Sequence, residues 1–293
     1  MKTLFPPRFG LLLVACAVLV MSTAYGPCAE PPEHTSELDE LSTEQLRVFL
    51  RGFDGDWRGD SPRSKGEPPP AIEKGWPDDA TLVDLVKPGD IDLGKMPLAE
   101  TVNRRRSRRA YTDASLTNEE LSFLLWNTQG ISRIATNEEG NVTHHFRTVP
   151  SGGGSHPFET YLAINRVEGM EPGIYRFLAS AHKLLLIRGE TRLPKLLRRA
   201  CYGQTFVGDA AVVFIWAAVP RRTEWRYGYI AHRMIAIEAG HVCQNLYLAC
   251  ESIGAGTTAM LGYSQKKMDA LIGVDGKDEF VIYVAPAGKV SDK

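Results

Sequence analysis

Residues 149–164 read V-P-S-G-G-G-S-H-P-F-E-T-Y-L-A-I. The closing T-Y-L-A-I has the alternation of a half-buried strand, yet three consecutive glycines stand at its mouth. Two readings fit them. Gly152, Gly153 and Gly154 form a loose surface linker, or they let the backbone come very close to something, since a residue without Cβ takes shapes and approaches that others cannot. Pro150 and Pro157 bracket the run and fix the chain at both ends, which a slack linker does not need. Unobstructed N–H groups between Ser151 and Ser155 suit a flat or anionic ligand.

The strand at 160–167 has company. Further strands are expected at 174–177, 183–187, 211–217 and 280–285. Between the last two, a long helix is predicted over 229–252 and stopped by Gly254. Its Ile235, Ala239, Val242, Leu246, Ala249 and Ile253 form one apolar stripe at helical spacing. Upstream, Thr117-x-x-Glu120 has the form of a capping box, opening a helix that Gly130 closes. Strands grouped in the middle, with helices before and after, predict an α+β fold with a central, mostly antiparallel sheet flanked by helices. No G-x-G-x-x-G opens a helix, which argues against a nicotinamide-binding Rossmann unit.

The chain has 293 residues, 43% hydrophobic and 24% charged, enough for a large core and unlike a disordered chain or a membrane bundle. A net charge of −1 gives no general pull toward nucleic acid or an anionic membrane, and neither is expected as a partner. Lys2 and Arg8, an apolar run over 10–21 and Ser22-Thr23-Ala24 form the pattern of a secretory signal peptide, 1–24. A secreted or periplasmic location follows. The apolar run falls short of the ~20 residues a membrane span needs; an uncleaved N-terminal anchor is the alternative. Leu13-Val14-Ala15-Cys16 resembles a lipoprotein box, but the apolar run continues past Cys16.

Residues 25–81 read as a Pro- and Glu-rich spacer, one short helix near 41–53, and a Gly-, Pro- and charge-rich wrap or tether. The compact domain is placed at 82–293. Cys28, Cys201, Cys243 and Cys250 show no zinc or iron–sulfur spacing, so no metal is expected and the cysteines are assigned to the core.

Three further features bear on chemistry. N-R-R-R-S-R-R-A-Y-T (103–112) packs five arginines into six positions. It is either a solvated basic face of the kind that binds polyanions, or a phosphate site, where guanidinium forks match phosphate oxygens and a serine hydroxyl joins them. Glu238, His241 and Asn245 project together from the long helix, as its wet side or as a half-buried polar row between Met234, Ile237 and Leu248. Gly254-Ala255-Gly256 and Leu261-Gly262-Tyr263 add two small-residue turns. No G-x-S-x-G or H-E-x-x-H occurs.

Taken in order, R-R-S-R-R-A-Y (105–111), P-S-G-G-G-S-H-P-F-E-T-Y (150–161), E-P-G-I-Y-R-F (171–177), I-E-A-G-H-V-C-Q-N-L-Y-L-A (237–249) and E-F-V-I-Y-V-A-P-A-G-K (279–289) resemble the FMN-dependent nitroreductase superfamily. The resemblance is nearest its SagB-type branch, which includes the azoline dehydrogenases. It implies a nitroreductase-like homodimer with two FMN sites at the subunit interface, each built from both chains. It places Arg105 at the FMN phosphate with Arg106 and Ser107, and Arg109 at the N1/C2 carbonyl edge of the flavin. Ser151, Gly152, Gly153, Gly154 and Ser155 would line the ring, Leu261 and Gly262 would lie near N5, and Lys289 would complete the phosphate site. The implied activity is a ping-pong oxidoreduction with NAD(P)H as donor and a small-molecule quinone, nitro or enone acceptor. Tyr227, Arg226 and His241 are the catalytic candidates. Azoline dehydrogenases carry Lys-Tyr where this chain has Arg226-Tyr227. Arginine cannot serve as a base, and that change, with the signal peptide, argues against peptide-azoline oxidation. The alternatives are such a dehydrogenase all the same, or a non-catalytic secreted flavin-binding protein.

Overall fold

β-Strands with both faces covered should be apolar without interruption, and V-V-F-I-W-A-A at 212–218 meets that condition with every residue buried. The computed structural model describes residues 41–51 and 60–291; the signal peptide and Cys28 lie outside them. In chain order the strands are Leu82–Asp84 (β1), Ile131–Thr136 (β2), Val142–Arg147 (β3), Phe158–Ile164 (β4), Gly173–Leu178 (β5), Lys183–Gly189 (β6), Val212–Ala218 (β7), Ala255–Thr257 (β8) and Phe280–Lys289 (β9). The helices are Thr43–Val48 (α1), Leu98–Arg104 (α2), Asn118–Gln129 (α3), Leu193–Ala200 (α4), Thr205–Asp209 (α5), Arg221–Tyr227 (α6), Ala231–Ser252 (α7) and Gln265–Ile272 (α8).

Seven strands form one antiparallel sheet in the order β1-β6-β5-β4-β7-β9-β8. Alternate residues of the central strands leave it on opposite sides. Leu162, Phe214 and Trp216 join Leu121, Leu124 and Leu125 of α3 and Val242 and Leu246 of α7 in one core. Tyr161, Val213 and Ile215 join Leu193 and Leu197 of α4 and Met268 and Leu271 of α8 in the other. The expected α+β architecture is therefore present, and the apolar stripe of α7 is what covers one face.

The capping box at α3 is formed: Thr117 Oγ1 accepts from the Glu120 N–H at 3.1 Å, and Glu120 Oε2 accepts from the Thr117 N–H at 3.0 Å. Gly130 follows α3 at φ −60°, so it does not act as a left-handed cap. It is needed for space, because a Cβ there would run into the Trp126 ring. Cys201, Cys243 and Cys250 are free and buried. Among the described residues no helix is long and apolar enough to cross a membrane.

Two parts of the fold depart from the expectation. The β2–β3 hairpin forms a separate two-stranded sheet and is exposed along most of its length, so no alternation marked it. The packed chain also begins before Leu82. Residues 60–81 form a strap tied down by hydrogen bonds rather than by apolar contacts. Arg222 Nε donates to the Ala71 carbonyl at 3.1 Å, and Arg176 Nη2 donates to those of Lys74 and Gly75 at 3.0 and 2.7 Å. Lys74 Nζ pairs with Glu279 at 2.5 Å, and its N–H donates to Glu159 at 3.0 Å. On α6, the Trp225 carbonyl accepts from the Arg63 N–H and Trp225 Nε1 donates to the Glu67 carbonyl, both at 2.8 Å. Glu67 also pairs with Arg221. Such bonds leave no periodicity to read in a sequence.

Arg222 and Glu159 meet at 2.5 Å with 4% and 3% of their side chains exposed. Removing one partner of a buried pair strands the other charge, at a cost of about 3–5 kcal/mol. Arg222→Leu is expected to lower the unfolding free energy, read from urea denaturation, by that margin. The double variant Arg222→Leu/Glu159→Leu should be the more stable of the two, because it leaves no lone charge; the reverse order would contradict the pairing.

Candidate functional site

Helix α7 carries both halves of the expected site. At Glu238, the carboxylate accepts from Ser151 Oγ (Oε2) and from the Gly152 N–H (Oε1), each at 2.7 Å. Ser151 Oγ accepts in turn from the His156 N–H at 2.9 Å. Gly152–Gly154 make one tight turn, with Gly154 N–H donating to the Ser151 carbonyl at 3.1 Å. Gly153 and Gly154 have φ of +63° and +67°, in the left-handed region that suits glycine. A Cβ on Gly153 would lie 2.6 Å from Tyr227 Oη and 2.9 Å from Arg226 Nη1, and one on Gly152 would run into Met234. The glycines are thus close-approach positions, with side chains of α6 and α7 pressed against them. Burial raises the Glu238 carboxyl, and the Gly152 and Ser151 donors oppose that rise.

The polar row on α7 divides. Glu238 is buried under the loop, His241 is exposed, and Asn245 Nδ2 donates to the Asn127 carbonyl of α3 at 2.9 Å.

The basic segment lies at Tyr247 of the same helix. Ser107 Oγ is 3.0 Å from Tyr247 Oη, and the Arg105 guanidinium lies over the Tyr247 ring, 5.3 Å from its centre. Ser107 bridges to Thr257 of β8, and the Arg108 N–H donates to the Thr257 carbonyl at 2.9 Å. The stem of Arg108 packs on Gly256, where a Cβ would lie 2.5 Å from Cγ. Arg104 is neutralised by Glu100 and Glu251. Arg105, Arg106, Arg108 and Arg109 have no carboxylate at ion-pair distance among the described residues. Arg106 bonds only to carbonyls, those of Asn103 and Arg105, and Arg108 Nε is buried without a partner. Like charges gathered without counter-charge call for an anion from outside the chain.

Arg109 lies over the Phe206 ring, 6.0 Å from its centre. Two residues before Phe206, Gln204 Nε2 donates to the Gly262 carbonyl at 3.2 Å, and Leu261 stands 72% exposed beside it. The segment 204–206 thus links Arg109 with Leu261 and Gly262. Lys289 is placed differently from the arginines: its ammonium is bonded to Glu120 and, at 3.4 Å, to the Ile253 carbonyl. It already has a counter-charge. Sequence reasoning missed Tyr247, Gln204 and Phe206, and took Met234 only as an apolar flank of the polar row. Tyr247 lies within the helix segment 237–249, where an aromatic on an apolar helix gives no sign of a polar task.

A sequence profile of the Nitroreductase family matches residues 102–289. The chain belongs to the nitroreductase family. It is 32% identical over 198 residues to a protein of Methanocaldococcus jannaschii named as a nitroreductase, covering 68% of this chain and 93% of that one. It is 24% identical over 159 residues to the trifolitoxin-processing protein of Rhizobium leguminosarum bv. trifolii, spanning 53% of this chain and 41% of that protein. Among solved structures, a nitroreductase of Ralstonia eutropha superposes with a TM-score of 0.57 at 25% identity, covering 77% of this chain and all of that one. The nitroreductase fold and the membership of an oxidoreductase family stand on these matches.

Removing the Glu238 carboxylate deprives the loop of two acceptors. Glu238→Ala is expected to cost about 1.5–3 kcal/mol and to speed amide hydrogen exchange at Gly152. Unchanged protection there would contradict the role given to Glu238. A second expectation concerns acid. Burial, with the Arg147 guanidinium adding to it, pushes the His156 imidazole down to about 3, whereas the unfolded chain titrates near ~6.5. The unfolded state binds more protons between those values, so stability falls as pH drops through that window. His156→Asn, which tolerates the positive φ of 42°, should flatten the stability profile between about pH 6.5 and 5. A profile that tracks the parent protein would rule this out.

Proposed function

We propose that this nitroreductase-family protein is an FMN-dependent oxidoreductase passing two electrons from a nicotinamide donor to a small-molecule acceptor of the quinone, nitro or enone class, the two using one pocket in turn. The observation that carries the reading is the set of four guanidinium groups at 105–109 without carboxylate partners, beside a serine hydroxyl. A phosphate monoester fits that donor set. Arg105, Arg106 and Ser107 would hold it, and Arg109 would face the ring's carbonyl edge, where a cation favours reduced, anionic flavin. When bound, the flavin would supply reversible hydride exchange at N5. The chain's own part is to bind, orient and exclude water: Glu238 holds the loop of Ser151–Ser155, and Leu261 and Gly262 form the opposite wall.

A homodimer belongs to the proposal. Glu238 and Tyr247 are nine residues apart on α7, about two and a half turns, so they leave the helix on opposite sides and roughly 13 Å apart along its axis. The glycine loop and the basic segment of one chain therefore turn away from each other, and a second copy would bring a loop to each basic segment. A location outside the cytoplasm is proposed on the signal-peptide pattern alone.

A second reading has one observation in its favour. Similarity to the trifolitoxin-processing protein fits a peptide-modifying dehydrogenase of the azoline type. Arg226, unable to act as a base, stands against it.

Purified full-length protein is expected to carry, or to gain on mixing with FMN, a flavin absorption spectrum; a colourless protein that does not respond to FMN would overturn the proposal. Arg105→Ala should weaken FMN binding about 10- to 100-fold. Arg192→Ala, at an exposed arginine paired with Glu190, should have little effect. Equal losses would sink the phosphate assignment.

A further inference from the structure

Arg226 is the one site arginine whose setting the FMN reading leaves unexplained. It stands in the last turn of α6, where Nη1 presses on Gly153 while the guanidinium lies over the ring of Tyr227, 5.5 Å from its centre. The carboxylate on α6, that of the strap residue tied to it and the one beneath the loop are taken. Glu224 bonds His232 at 2.8 Å, and Glu67 on the strap pairs with Arg221. Glu238, beneath the loop, accepts from Ser151 and Gly152. No carboxylate pairs with Arg226 among the described residues. Its helix is tied to the strap by the Arg63, Glu67 and Ala71 bonds, and Arg222 anchors it to β4. The guanidinium is thus presented from a fixed base beside the Tyr227 ring, and His144 lies next to Gly154 on the same loop.

A guanidinium stays charged at any working pH and takes no part in proton transfer. What it offers is a planar fork for two oxygens of an anion, next to a ring on which a flat group can lie. We infer that Arg226 anchors the acceptor, and that this site prefers planar aromatic molecules bearing a carboxylate or sulfonate over neutral ones of the same shape. The inference rests on the loop being the reaction pocket of the proposed oxidoreductase. It adds the charge class of the substrate.

The test uses full-length protein in its FMN-mixed form and compares 2-naphthoate with its neutral isostere 2-naphthamide by titration calorimetry. At low salt, naphthoate is expected to bind at least about tenfold tighter, with the preference shrinking as salt screens it. Arg226→Gln should bring the two affinities within about twofold, and Arg226→Lys should keep part of the gap, since charge without the fork remains. Thermal midpoints near that of the parent protein would show that the variants are folded. In a second readout, nicotinamide-supported reduction of a sulfonated and an unsulfonated naphthoquinone should show a kcat/KM ratio that favours the anion in the parent protein and drops in Arg226→Gln. No preference in the parent protein, or a preference that survives in Arg226→Gln, overturns the inference. A naphthoate preference lost in Arg226→Gln, in a protein with no flavin spectrum, would support the anchor while removing the oxidoreductase reading. A flavin spectrum without the preference would do the opposite.

Discussion

The buried pair of Arg222 and Glu159 holds together the strand, the strap and α6 where they meet the glycine loop. Two charges taken out of water cost several kcal/mol each unless every polar atom finds a partner. Here the cost is offset by connections. Arg222 donates to Glu159 on β4 at 2.5 Å, to the Ala71 carbonyl on the strap at 3.1 Å, and to the His156 carbonyl at the end of the loop at 3.5 Å. Glu159 accepts a second bond from the Lys74 N–H. Strand, strap, loop and α6 are therefore fixed to one ion pair. Satisfying it brings Tyr227 and Arg226 against Gly153.

Helix α7 then sets the limits of what one chain can do. Its apolar stripe must cover the sheet, which fixes its rotation. With the rotation fixed, Glu238 is directed toward the loop and Tyr247 toward Ser107, on opposite sides. A glycine loop and an uncompensated basic segment that face apart make poor sense in an isolated chain. That geometry, together with family membership, is the support for a site shared between two copies.

The parts of this arrangement that could be read in the sequence are those in which one residue type performs one task. β4 and β7 showed as strands, α7 as a stripe, and α3 by its capping box; β4, expected to be half-buried, is instead buried along its whole length, because helices cover both faces of the sheet there. Gly152–Gly154 were legible as a close approach, although what approaches them in the structure is Met234, Tyr227 and Arg226. Where a residue serves two elements the pattern falls silent. Arg176 and Arg222 bind strap carbonyls, and a carbonyl is the same on every residue, so residues 60–81 stayed open between a wrap and a tether. Lys289 had the residue type for a phosphate ligand. Glu120, which caps α3 with one oxygen, holds Lys289 with the other.

Charge counting adds to what motif spacing says about the cations, although it does not decide alone, since Arg176 fastens the strap through carbonyls without a carboxylate. The chain has 35 acidic residues against 34 lysines and arginines, so there is no general shortage of carboxylates. Arg104 has two, Arg221 and Arg222 one each, and all three fasten helices. Arg105, Arg106, Arg108, Arg109 and Arg226 have none among the described residues, although each is within five positions of a neutralised arginine. Cations that only stabilise the fold gain from a partner, and this chain had carboxylates to supply. One cluster beside a serine and one lone arginine beside an aromatic ring are left unpaired, and that is what supports reading them as partners for charges that arrive with a ligand.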